Sequence, residues 1–309
     1  MPTCSRRTFL KAGAGSLLAV GLGAPLPRAA AAETTPGKPF RLNYLLASSL
    51  YGNVHVREVV PEVAKAGLDA LDVWCPAWVP HRTQLDELGH DAFLALLKRH
   101  KTRLGSISPY NLGPFGLKDE LRVIAKLGGT LAICGSTGPA ADVKAATKDF
   151  VEKLKPQVAV AEEVGVTIGI ENHGGALLSS PDSIRRFCEM ATSDRLGVVL
   201  APYHLPQDPA VLAGLIKDMG PKLAHLYAWQ LPGKPKEGEK PDDLPELPGH
   251  GGMDFTPIVA ALKAIGFKGW TEIFTHAHKH NGAMAATTDA VTQEVVRCRQ
   301  YLEACLAKA

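Results

Sequence analysis

Residues 166–175 read VTIGIENHGG. The opening residues Val166, Thr167, Ile168 and Ile170 are β-branched, the make-up of a buried strand. Such a strand would ordinarily end in an undistinguished polar turn. This one ends in a carboxylate, an amide and an imidazole in consecutive positions (Glu171, Asn172, His173) and then two glycines. A carboxylate closing a fully buried parallel strand is costly unless it meets a metal, a cation or several donors. The strand end is therefore a candidate site. Plainer uses stay open: an N-cap or loop carboxylate for Glu171, a solvent-facing ring for His173, an ordinary turn for Gly174 and Gly175.

Seven further runs have the same strand-like make-up: RLNYLLASS, LDALDVW, RLGSISPYN, TLAICGS, LGVVLAPYH, KLAHLYAWQ and GWTEIFTHAH. Between them lie amphipathic stretches predicted as helices over 56–66, 86–99, 118–127, 141–164, 181–191, 209–219 and 255–265, with a last one over 289–306. Several end on glycine, at Gly67, Gly128, Gly165, Gly220 and Gly266, as helix C-caps do. Strand–helix alternation repeated eight times predicts an α/β fold, a (β/α)8 TIM barrel over 39–309. The competing open doubly wound sheet lacks a GxGxxG turn after its first strand.

Ahead of the barrel, SRRTFLK (Ser5 to Lys11) is a twin-arginine pattern, followed by a weakly apolar run and the alanines 29–32. This predicts an export signal over 1–32, a linker over 33–38, and a periplasmic or secreted protein. The chain carries +3, but Arg6, Arg7, Lys11 and Arg28 belong to the signal, which has no acids; without these four cations the charge is −1. A near-neutral barrel has no electrostatic footprint for nucleic acid or an anionic membrane. No run after the signal is long and apolar enough to span a bilayer. Five cysteines remain (Cys75, Cys134, Cys188, Cys298, Cys305), irregularly spaced and without a CxxC pair, and read as small core residues.

In such a barrel the strand C-terminal ends form the site. They are predicted to deliver Tyr51, then Trp74 and Trp78, then Tyr110 and Asn111. The later strands deliver Glu171–His173, then Tyr203 and His204, then His225, Tyr227, Trp229 and Gln230, and finally Glu272, His276 and His278. Six of the eleven histidines fall at or beyond strands five to eight, counting His280. By alternation Trp270, Glu272, Phe274 and His276 share a face, as do His225 and Tyr227. Glu272 is then a second inward carboxylate, or else an outward one paired to a helix. His225 is a site residue, or else a satisfied core histidine. Aromatic rings beside hydroxyl-binding groups suit the C–H faces of a sugar, and core packing suits them equally. The segment Leu231 to Gly252, rich in Pro, Gly and charge, reads as a lid or a solvated excursion.

VTIGIENHGG, LGVVLAPYH, KLAHLYAWQ and LPGHGGMDFTPIVAALKAIGFKGWTEIF together resemble the xylose isomerase-like TIM barrels. That group holds sugar isomerases and epimerases and the type IV AP endonucleases. The resemblance implies acid–base chemistry by carboxylates flanking a sugar, with a divalent ion held by Glu, Asp, His and Glu of strands five to eight. Glu171 matches. Ala201 stands at the Asp position, Tyr227 near the His position and Phe274 near the last Glu position, with His204, His225 and Glu272 close by. The resemblance thus implies catalysis by Glu171, Glu272 and His204. Substrate binding falls to His173, His225, Tyr227, Trp229, Trp74 and Tyr110. Either a rearranged set of Glu171, Glu272, His204 and His225 holds one Mn²⁺, Zn²⁺ or Mg²⁺, or there is no metal, and no other cofactor is implied. The expected function is a sugar isomerase, epimerase or lyase acting on a small carbohydrate. The alternative is a non-catalytic carbohydrate-binding barrel with a degenerate metal site. AP endonuclease activity ranks third, since near-neutral charge and export both oppose it.

Overall fold

The computed structural model describes residues 39–75, 79–233, 243–277 and 282–309. The export signal and linker lie outside the described residues, as do Trp78, His278, His280 and the 234–242 part of the long loop. Contacts divide the chain into Met1–Pro39 and Phe40–Ala309.

Within the second unit the strands are β1 (Asn43–Ala47), β2 (Ala70–Trp74), β3 (Leu104–Ser108), β4 (Leu131–Gly135), β5 (Thr167–Glu171), β6 (Leu196–Leu200), β7 (Leu223–Ala228) and β8 (Trp270–Ile273). They pair in parallel in chain order, and β8 closes on β1. The helices around them are α1 (Val56–Lys65), α2 (His81–Leu88), α3 (His90–Arg99), α4 (Lys118–Lys126), α5 (Val143–Val164), α6 (Pro181–Met190), α7 (Pro209–Met219), α8 (Thr256–Ala264) and α9 (Thr288–Lys308). This is the predicted (β/α)8 barrel. Strands buried on both faces explain the near-continuous apolar runs: their outer faces pack on helices and their inner faces fill the barrel.

Side-chain caps set several helix starts. Asp142, Asp208 and Thr287 accept from the first turns of α5, α7 and α9, and Ser180 forms a capping box with Ser183 on α6. The single helix predicted over 86–99 is instead two. Gly89, at φ 79°, ends α2 with its N–H on Leu85 and Asp86 and begins α3 with its carbonyl taken by Phe93. Side chains other than glycine rarely adopt that backbone, so the break is built into the residue.

A second local feature matters for the interior. The β2–β3 register shifts between Leu71 and Asp72, so that Asp72 lies opposite Ser106 and Trp74 opposite Ser108. Irregularities of this kind re-aim side chains. Tyr51, expected at the mouth of β1, is fully buried elsewhere. Its hydroxyl lies 3.0 Å from Thr292, whose own hydroxyl donates to Glu62 at 2.6 Å, tying α9 to α1. The five cysteines are unpaired, and Cys134, Cys298 and Cys305 are buried. Among the described residues no helix is long and apolar enough to cross a membrane.

Candidate functional site

β5 delivers Glu171 to the barrel mouth, buried to 6 % exposure. Its Oε2 accepts a hydrogen bond from the Tyr110 hydroxyl at 2.7 Å, and that hydroxyl lies 3.1 Å from the hydroxyl of Tyr227. Three residues from three strand ends thus form one chain of oxygens. Burial pushes the Glu171 carboxyl up to about 7, against the smaller lowering effect of the Tyr110 hydrogen bond. Both phenols are pushed well up, by burial first and by the neighbouring carboxylates after it, and so remain proton donors.

One layer deeper, Glu272 points inward from β8, the first of its two alternatives, and it is fully buried. Trp74 Nε1 donates to its Oε1 at 3.3 Å, and His225 Nε2 lies 3.4 Å from its Oε2. Asp72, also fully buried, accepts from the hydroxyls of Ser106 and Ser108, each at 2.7 Å. Burial raises Asp72 to about 6. Glu272 is pushed well up, by burial first and then by the charge of Asp72. His225 is lowered to about 3 by burial and is neutral.

Between these layers and the mouth stands a wall of rings. Trp74 stacks flat on Phe274 at 4.6 Å and lies 5.2 Å from Tyr110. Trp229 meets Phe274 edge-on at 5.0 Å, and its other side stacks on the half-buried Tyr203 at 3.9 Å. Glu246, from the long loop after β7, accepts from Trp229 Nε1 at 2.7 Å and from Thr275 at 2.5 Å, which fixes the indole. At the rim the rings of His173 and His204 approach to 3.9 Å, with His173 exposed. His204 is lowered to about 4 by burial and by its histidine neighbours, and its Nε2 has no hydrogen-bond partner. Asn172 is a clamp: its amide donates to the carbonyl of Ala201 at 3.0 Å and accepts from its N–H at 2.8 Å.

The structure therefore brings Glu171, Tyr110, Tyr227, Trp74 and Trp229 together and places His173 and His204 at the rim of the same mouth. Glu272 and His225 belong to the layer beneath. The four side chains considered for a divalent ion (Glu171, Glu272, His204, His225) are not gathered. Among the described residues no three His, Cys, Asp or Glu side chains are grouped to hold a metal. The donor set shows why. Glu171 and Glu272 each already accept from a neutral donor, Asp72 accepts from two, and His204 sits with His173 away from the acids. As a four-ligand set these residues do not converge on one ion, while Glu272 Oε2 and both ring nitrogens of His225 are buried without a hydrogen-bond partner. Two contributors escaped the sequence reading. Asp72 was detectable, since alternation puts it on the face of Trp74. Glu246 had no signal, lying in a loop without periodicity.

A family model described as xylose isomerase-like TIM barrel matches residues 60–298. No curated protein matches the sequence. Among solved structures, D-psicose 3-epimerase from Clostridium cellulolyticum, determined with D-tagatose, superposes with a TM-score of 0.67 at 18% identity, covering 86% of this chain and 99% of that one. A xylose isomerase domain protein from Alicyclobacillus acidocaldarius gives 0.64 at 16% identity, with coverage of 86% and 99%. The IolI protein with a bound zinc atom gives 0.62 at 15% identity, again covering 86% and 99%. Identities this low bear on the fold alone.

Proposed function

Because the chain belongs to the xylose isomerase-like TIM barrel family, we propose that it is a sugar-active enzyme of the isomerase or epimerase type. It moves a proton on a carbon next to a carbonyl or carbinol, and elimination from an oxidised glycoside would share that first step. The observation that carries this reading is Glu171. Its carboxyl lies at the mouth, is raised to about 7, and is hydrogen-bonded to a phenol beside a wall of rings. A base is most effective when its pKa lies near the working pH, and an enclosed carboxylate meets that condition. The D-psicose 3-epimerase it resembles in fold acts, by its name, on a ketose, which supports a ketose or related sugar here.

Each neighbour has a part in that scheme. Tyr110 offers an O–H to a substrate oxygen. Trp74 and Trp229 present flat faces to sugar C–H groups. His204 and His173 offer neutral ring nitrogens to hydroxyls at the rim. Glu272 lies too deep to touch a substrate and acts through the field of the layer below. None of the residues assembled at the site is Lys or Arg, which suits an uncharged sugar better than a sugar phosphate. With the twin-arginine pattern, the proposal extends to activity outside the cytoplasm.

The test is solvent exchange. Incubation with D-psicose, D-tagatose or D-fructose in D2O should place deuterium on the carbon beside the carbonyl, read by proton NMR. Glu171→Gln should lower the rate by at least about 100-fold, the usual loss when a general base goes. Saturable ketose binding without any exchange would replace the enzyme with a carbohydrate-binding barrel.

A further inference from the structure

We infer that this site polarises its substrate oxygen with a phenol instead of a divalent cation: Tyr110 is the donor, and Tyr227 is the positioning residue behind it. The inference rests on the sugar-active reading above. Its ground is how the mouth is filled. Where the family resemblance places three metal ligands, this chain has Ala201, Tyr227 and Phe274. The structure shows what those replacements do. Tyr227 is fully buried, with its hydroxyl 3.1 Å from that of Tyr110. Phe274 is the plate on which Trp74 lies, and from that stack the indole N–H reaches Glu272. The compensation a cation would give at the mouth comes instead from an O–H on Glu171; in the layer beneath, an N–H reaches one oxygen of Glu272, whose Oε2 has only the neutral His225 ring 3.4 Å away. Donors fixed by packing in a water-poor interior are effective electrostatic partners.

Tyr110 is half-buried, whereas Tyr227 is sealed, so of the two phenols Tyr110 is the one on the side of the mouth. That hydroxyl has one hydrogen, which it gives to Glu171 in the empty site. A substrate carbonyl oxygen taking this hydrogen leaves Glu171 without its donor, and so more basic as the substrate docks. The C–H bond then breaks. Its proton goes to Glu171 and its electron pair forms the C=C of an enediolate, while the carbonyl pair moves onto the oxygen held by Tyr110. Glu171 returns the proton to carbon, and no oxidant or reductant is consumed. Tyr227 can donate to the Tyr110 oxygen throughout, which keeps the phenol aimed.

The experiment uses the full chain dialysed against EDTA, with metal content measured and exchange into D-psicose, D-tagatose and D-fructose followed in D2O with and without Mn²⁺, Mg²⁺ or Zn²⁺. The expected result is exchange in EDTA that added metal leaves unchanged. Tyr110→Phe should lower kcat about 100-fold, the loss typical of one transition-state donor. Tyr227→Phe should lower kcat roughly 10-fold at unchanged KM and unchanged melting temperature, a split that a merely structural role would not produce. Exchange that vanishes in EDTA and returns with a metal overturns the inference and keeps the sugar-active reading. Full kcat in Tyr110→Phe overturns the phenol's role in the same way. No exchange under any condition overturns both.

Discussion

At the scale of single residues, Glu171 is where burial and chemistry meet. Its carboxyl is raised from an ordinary 4.5 to about 7, chiefly by burial. A carboxyl raised by folding binds its proton more tightly in the native state, so stability is lost as pH rises from about 4.5 to about 7. By linkage the loss approaches roughly 3 kcal/mol above that window, as an order of magnitude. Glu171→Gln keeps the shape and removes the titration. The variant should therefore melt higher than the parent at pH 8 and nearly level with it at pH 4, read by calorimetry at both pH values. An equal gap at the two pH values would show that the buried charge carries no such penalty. The same group should give kcat/KM an acid limb near pH 7, with activity rising as the base form appears.

At the scale of elements, the mouth depends on how β5 seats against β6. A Cβ added at Gly169 would stand 2.6 Å from Val199 Cγ2 and 3.2 Å from Leu131 Cδ1, inside the packed barrel. Gly169→Ala should cost about 1–3 kcal/mol, measured by urea unfolding, because close-packed interiors resist added volume. Two residues on, Asn172 holds both backbone polar groups of Ala201. Asn172→Ala leaves the Ala201 N–H without a partner in a buried place, while its carbonyl keeps the His204 N–H, and should cost about 1–3 kcal/mol. Circular dichroism at rising urea tests it, and a midpoint equal to the parent's would show that water replaces the clamp.

At the scale of the whole molecule, the export reading concerns residues 1–32 and the barrel's chemistry concerns the rest. Arg6→Lys with Arg7→Lys keeps the charge and removes the twin-arginine pattern. Periplasmic recovery should fall to background while the cytoplasmic fraction still holds folded barrel, and undiminished periplasmic yield would sink the export proposal.

The fold was legible because its information is local and repeated: apolar runs alternating with amphipathic stretches, with glycines at the helix ends. Glu171 was legible for the same reason, a charge at the end of a run that must be buried. A period of two put Glu272 on one face with Phe274 and His276, and barrel closure turned that face inward. The sequence by itself therefore determined the barrel and the strand end that Glu171 closes. Depth and partnership were decided only by tertiary structure, since barrel closure sets which strand ends meet and at what level. It sealed Glu272 and His225 beneath the Trp74–Phe274 stack, turned Tyr51 away to Thr292, and left His204 beside His173 at the rim. It also joined Tyr110 and Tyr227, 117 positions apart in the chain, into one hydroxyl pair on Glu171, a contact for which no spacing along the sequence is a signal.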